Sequence, residues 1–409
     1  MDTTITMLPD ETELPQRFQD ELYAEGGAAL LHALRKTIET NDETFALRAY
    51  ELAWERLHCG SWKEIHAVWR QAFGYAAVLN AHALAGREEH TESLKTLDMC
   101  LMMAGPHAPS NVHKLIAIAE EQLRNVDESA ESEHTAKRPR LAGPDQLGLV
   151  QENFPVLKFS IERIEMPSLA DLEHKYIRTN TPVIITGAME NWPAMGRADP
   201  TRAWRNLDYL RRIAGFRTVP VEIGSSYVED DWGQQLMTLN EFIDKYLLEQ
   251  GQDESTKRLG YLAQHHLFDQ IPALGRDIIT PDYCTIQRSL DDEESDEDIA
   301  VNAWFGPKGT VSPLHFDPKD NLLCQVVGAK YLRLYAPSES TKLYPVDGLL
   351  SNTSQVTVED PDLDTFPLFA DAKYVECVLQ EGEILYIPPT YWHYVKSLSV
   401  SFSVSFWWS

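Results

Sequence analysis

Cysteine is scarce in this chain: Cys59, Cys100, Cys284, Cys324 and Cys377 are far apart, odd in number and form no C-x-x-C pair. That argues against a thiolate zinc site or a disulfide framework and for free thiols in a reducing compartment. Positive charge is also short, with 36 Lys and Arg against 63 Asp and Glu and a formal net charge of −27. Much of that excess serves solubility. A surface so acidic also repels nucleic acid and attracts proteins or peptides rich in Arg and Lys. No window approaches about 18 uninterrupted apolar residues, which excludes a conventional membrane-spanning helix. The opening stretch MDTTITMLPDET is acidic and has no apolar core of the secretory kind. The expectation is a nuclear or cytoplasmic protein with neither membrane nor nucleic acid as direct partner. H-E-x-x-H, G-x-S-x-G and Cys/His signatures are missing too.

What is present suits two domains, since 409 residues exceed what one core usually organises. Residues 1–126 read as helical, an interaction domain of which a tetratricopeptide-like array is one form. Ser61-x-x-Glu64 resembles a capping box, and Ile65, Val68, Trp69, Ala72, Phe73 and Ala76 then recur at three- and four-residue steps. Gly105-Pro106 stops one helix and Asn111 can cap the next. His32, His66, His82 and His113 lack acidic or His partners at ligand spacing and read as packing or surface residues. Residues 127–145 turn polar and aperiodic, a linker whose Lys137, Arg138 and Arg140 form a short basic cluster of the nuclear-import type. The run DDEESDED at 291–298 lacks the glycine of a calcium loop and reads as a solvated loop.

Residues 146–409 change to β-branched-rich segments, with helix-like stretches near 168–176, 204–213 and 239–248. From Leu398 to Trp408 apolar residues alternate with serines, the mark of a strand with one face in a core. Within this half, His315 and Asp317 flank Phe316, so in an extended chain imidazole and carboxylate point the same way. His393 follows 78 positions later in the strand-like EILYIPPTYWHYV. Two His and one carboxylate on one face of a metal leave three open positions, the arrangement of non-haem Fe(II) oxygenases. An isolated H-x-D is weak, but this one has company. Lys330, opening the strand KYLRLYA, offers an ammonium for the distal carboxylate of a dicarboxylate cosubstrate. Ser312 and Asn321 add a hydroxyl and an amide.

Together, Ser312, His315, Asp317, Asn321, Lys330 and His393 resemble the JmjC-type 2-oxoglutarate oxygenases. The wording AWFGPKGTVSPLH, GAKYLRLYAP, GEILYIPPTYWHYV, SFSVSFWWS and YLAQHHLFDQIP carries the likeness across residues 146–409, and the helical part follows more loosely. The resemblance implies an α+β chain, a helical domain followed by a double-stranded β-helix (a cupin-like jelly roll) with flanking helices. It also implies Fe(II) and 2-oxoglutarate as cofactors, with Tyr261 joining the cosubstrate site. The activity it implies is hydroxylation of arginine side chains in basic proteins, with demethylation of histone methyl-lysine as the rival.

Candidate residues for holding a cationic substrate are Glu222, with Asp230 or Asp231, beside Tyr227 and Trp232, and Trp304 as a further wall. A carboxylate among aromatics suits a guanidinium, although aromatics in strands are mostly core. Two further alternatives stand: a histone-tail endopeptidase using metal-activated water, and a non-catalytic chromatin interaction protein. The intact six-residue set argues against the last.

Overall fold

The computed structural model describes residues 14–60, 64–133, 147, 154–224, 232–248, 258–288 and 299–409. It divides into two compact units, the first holding the leading helices with Phe216–Thr218, the second the remainder. Ser61, the basic cluster at 137–140 and the acidic run at 291–298 lie outside the described residues.

The first unit contains α1 (Gln16–Ala24), α2 (Ala28–Thr40), α3 (Glu43–Leu57), α4 (Ala67–Gly86), α5 (His90–Ala104) and α6 (Val112–Glu133). From α2 to α5 each helix packs on its predecessor, and α6 packs on α5. The cap of α4 is His66, whose Nδ1 accepts from the Val68 amide at 3.3 Å. The stripe foreseen for α4 is only part of what it buries, because Gly74, Tyr75, Ala77 and Val78 are also inside. A helix apolar on most sides sits in the middle of its bundle. Helix α5 stops at Ala104, where Gly105 takes φ 55°. Helix α6 runs to Glu133, seven residues into the stretch read as linker.

The second unit is built from thirteen strands among the described residues. These are β1 (Arg163–Glu165), β2 (Val183–Thr186), β3 (Thr218–Ile223), β4 (Gly233–Thr238), β5 (Gly260–His265), β6 (Ala300–Gly306), β7 (Val311–His315), β8 (Asp320–Val327), β9 (Lys330–Tyr335), β10 (Tyr374–Leu379), β11 (Ile384–Ile387), β12 (Trp392–Ser397) and β13 (Ser401–Trp408). They form a large sheet in the order β1-β2-β11-β8-β13-β6-β5-β3-β4 and a small one in the order β10-β9-β12-β7. Ile184, Leu323 and Leu385 of the large sheet share a buried cluster with Leu332, Leu334, Cys377, Leu379 and Val395 of the small one, so the sheets face each other. The large sheet's other face packs Phe305, Phe402, Val404 and Phe406 against Trp204, Phe242 and neighbouring helical residues. This is the expected α+β order, a helical unit followed by a double-stranded β-helix.

The alternation in β13 marks one face in a core, and the structure buries the other face as well: Ser401, Ser403 and Ser405 are as fully buried as Val404 and Phe406. The strand lies between β6 and β8, so its serine face looks into the space between the sheets. There the hydroxyls find partners: Ser401 Oγ accepts from Gln325 Nε2 at 2.9 Å and Ser403 donates to Gln325 Oε1 at 2.7 Å. Such pairing is what makes a polar face tolerable in a core.

Gly328 turns β8 into β9 at φ +76°, with Val400 O only 2.0 Å from where a Cβ would stand. Gly328→Ala is expected to cost about 3 kcal/mol of stability, read as a lower midpoint in guanidinium unfolding.

Candidate active site

The site begins with strand pairing. β7 and β12 run antiparallel with His315 opposite His393, which brings residues 78 positions apart into contact, ring centroids 4.3 Å apart. The chain after β7 carries Asp317 back to the same spot, where its amide neighbourhood is tied down by Thr390 N donating to Asp317 O at 2.7 Å. Between the ligands, Phe316 points away and meets Trp392 edge to face at 4.8 Å. The ligand strands are thus clamped by an aromatic pair on their far side.

Each imidazole is oriented by its own strand. His315 Nδ1–H donates to Pro313 O at 2.7 Å and His393 Nδ1–H to Tyr391 O at 3.0 Å. Both Nε2 atoms are left to face Asp317 Oδ2, at 3.9 and 3.6 Å. One ligand atom from each of the three residues lies within 4.8 Å of the others. Burial, together with the adjacent His315, holds His393 well below its ordinary pKa, so it is neutral as a metal ligand must be. Two imidazole nitrogens and one carboxylate oxygen on one side fit a ferrous ion and leave its other side open.

The same cavity is lined by Tyr261, Trp304, Ser312, Asn321, Leu323, Lys330, Ser405 and Trp407 besides the triad. Lys330 is 1% exposed, its Nζ donating to Tyr261 Oη at 3.2 Å and lying 5.6 Å from that ring's centroid. Tyr261 is in turn hydrogen-bonded to Ser312. Burial alone pushes Lys330 down to about 7. A buried ammonium flanked by hydroxyls, with no carboxylate beside it among the described residues, fits the distal carboxylate of 2-oxoglutarate. Across the cavity Asn321 Oδ1 and Trp407 Nε1 are buried without a partner among the described residues. They are cross-strand neighbours on β8 and β13. A polar ligand between them would satisfy both groups.

The substrate candidates divide. Trp304 lines the cavity, with its ring centroid 6.2 Å from that of Tyr261. Glu222 does not line it, but stands opposite Tyr261 in the β3–β5 pairing. Its pKa is raised by burial, against a hydrogen bond with Trp232 that lowers it. Trp232 is 39% exposed. Tyr227, Asp230 and Asp231 lie outside the described residues. Sequence reasoning missed Ser405 and Trp407. Their signal was present, because positions 401, 403, 405 and 407 share one face of a strand whose opposite face is uniformly apolar.

A double-stranded β-helix with a His-Asp-His face and a buried lysine defines a JmjC-type cupin that uses Fe(II) and 2-oxoglutarate. Comparison with known proteins places the chain in that family: residues 169–409 match the cupin-like domain and residues 10–134 the KDM8-like N-terminal ARM repeats. The helical unit is thus ARM-like. The zebrafish (Danio rerio) protein named lysine-specific demethylase 8 is 42% identical over 370 residues, covering 88% of this chain and 86% of its own. Lysine-specific demethylase JMJ30 of Arabidopsis thaliana is 38% identical, with 96% and 92% covered. Jumonji C domain-containing protein 5 of Drosophila melanogaster is 44% identical over 251 residues, with 61% and 59% covered.

His315→Ala or Asp317→Ala is expected to remove bound iron as well as turnover, checked by metal analysis after desalting. The Lys330 shift sets a direction with pH. Above about pH 7 the free protein's amine is mostly neutral, whereas an ammonium holds the dicarboxylate, so binding takes up a proton. 2-Oxoglutarate affinity should hold below that pH and fall by up to about tenfold per unit above it. Titration calorimetry in buffers of different ionisation enthalpy measures the proton, and Lys330→Met should abolish the dependence.

Proposed function

We propose that this chain is an Fe(II)- and 2-oxoglutarate-dependent oxygenase acting on cationic side chains of basic proteins. The observation that carries the reading is the cavity itself. One wall presents the His315, Asp317 and His393 face, another the Lys330 ammonium, and Trp304 forms a side of the same space. When bound, iron and 2-oxoglutarate supply activation of dioxygen for insertion of one oxygen atom into a C–H bond, the other atom leaving in succinate. The protein's own residues do the rest. His315, Asp317 and His393 hold the metal. Lys330, Tyr261 and Ser312 anchor the cosubstrate tail, and Asn321 and Trp407 offer a second pair of polar contacts. Leu323, Ile387 and Val395 line the cavity with apolar surface and keep bulk water out.

What the inserted oxygen becomes depends on the carbon that the pocket presents. On an N-methyl group it gives a hemiaminal that releases formaldehyde, which is demethylation. The names of the zebrafish, Xenopus tropicalis and Arabidopsis relatives, all lysine-specific demethylases, favour this outcome. A specific feature favours a second outcome, a stable alcohol on an arginine methylene. Glu222 is a largely buried carboxylate beside Trp232, and two acceptor oxygens suit the paired N–H groups of a guanidinium. A fully methylated ammonium has no N–H to donate. The acidic surface suits either basic partner. Nuclear residence belongs to the same reading, through the basic cluster at 137–140.

Incubating the full chain with Fe(II), 2-oxoglutarate and a panel of basic peptides, some methylated on lysine, separates the outcomes by mass. Loss of a methylene unit with formaldehyde release marks demethylation, and gain of one oxygen marks hydroxylation. Chain cleavage, or no succinate release with any peptide, would reject the oxygenase reading. Glu222→Gln should raise the KM for an arginine peptide by about tenfold while uncoupled 2-oxoglutarate decay falls less. Alanine at Lys137, Arg138 and Arg140 should shift a fluorescently tagged chain out of the nucleus.

A further inference from the structure

Ser405 stands in the cavity wall at a point that neither the ligand set nor the cosubstrate anchors account for. It is fully buried on β13, next but one to Trp407 on the same strand face. Its hydroxyl oxygen accepts from Trp304 Nε1 at 2.9 Å. The two are a diagonal pair across β6 and β13, where Ser405 is paired with Asn302 and Trp304 with Ser403. Trp304 also packs against the apolar cluster between the sheets, and the Tyr261 ring is 6.2 Å away between centroids and tilted by 42°. A tryptophan pivots about two side-chain torsions, and one hydrogen bond at the indole nitrogen is enough to select among its rotamers.

We propose that Ser405 is a positioning residue for substrate specificity. It holds the Trp304 indole across the cavity so that the ring forms a fixed wall for the cationic side chain of the substrate. The proposal rests on the assignment of Trp304 as a substrate wall, and it adds the residue through which that wall is set. Ser405 acts through Trp304, not on the substrate directly. Replacing it should therefore alter substrate binding only while the indole N–H is there to be held.

A double-substitution cycle on the full chain tests this. The variants are Ser405→Ala, Trp304→Phe and both together, with a fluorescein-labelled arginine-containing basic peptide as the probe. Its dissociation constant is measured by anisotropy in the presence of Fe(II) and 2-oxoglutarate without oxygen, and its KM and kcat under turnover. Loss of one neutral hydrogen bond predicts about a fivefold weaker peptide affinity for Ser405→Ala. The double variant should be no weaker than Trp304→Phe alone, because phenylalanine offers nothing to hold. Thermal melting of each variant reports whether the fold is retained. Additive losses in the cycle, or a Ser405→Ala effect confined to kcat with peptide affinity intact, would overturn the positioning role. Trp304→Phe without effect on peptide affinity would instead overturn the assignment of Trp304 on which the role stands.

Discussion

The register between β7 and β12 is the constraint on which the site depends. Because side chains alternate along a strand, a slip of one residue would turn either His315 or His393 to the opposite face and leave no pair of imidazoles. Several features hold that register. β12 is paired on its other side with β9 from Trp392 to Ser397, and the Phe316–Trp392 contact sits behind the ligands. Trp392 Nε1 also donates to Ser340 Oγ at 2.9 Å, which ties the strand to the layer outside the small sheet. The metal face is a product of sheet pairing, with the local H-x-D spacing supplying only half of it.

A second constraint is dielectric. The cavity is enclosed between two sheets and partly lined by the apolar Leu323, Ile387 and Val395, so a charge in it is costly unless matched. Lys330 shows the consequence: among the described residues its amine is hydrogen-bonded to the hydroxyl of Tyr261 and to no carboxylate, and burial lowers its pKa. Asn321 and Trp407 show it in neutral form, as polar atoms buried without partners among the described residues. Burying such groups unmatched is costly, and a polar ligand between them would offset that cost.

Much of this could be read from residue spacing. His315, Asp317 and Lys330 are legible because a strand places alternate side chains on one face and because their chemical types have few reasons to cluster otherwise. His393 needed the apolar run around it to be recognised as a neighbouring strand. The helical unit was legible as helices but not as ARM repeats, since no repeat of fixed period stands out in this stretch of sequence. Ser405 and Trp407 were not legible as cavity residues from the alternation alone. Alternating serine and apolar residues normally mean water on the serine side, but β13 is an inner strand of a closed two-sheet structure, and there the polar side faces the cavity. Glu222 was named for its aromatic company, whereas its place opposite Tyr261 comes from a pairing of β3 with β5 across some 40 residues that no local pattern announces.

The orientation of the two imidazoles has an implication for how this centre tolerates change. In many metal proteins the ring nitrogen away from the metal is held by a carboxylate side chain, which a single substitution deletes. Here both acceptors are main-chain carbonyls of Pro313 and Tyr391, each two positions upstream of its histidine. No exchange of side chain removes a carbonyl. Surrounding residues can drift over evolutionary time, or be redesigned to admit new substrates, while the tautomers of the ligand pair stay fixed by the backbone.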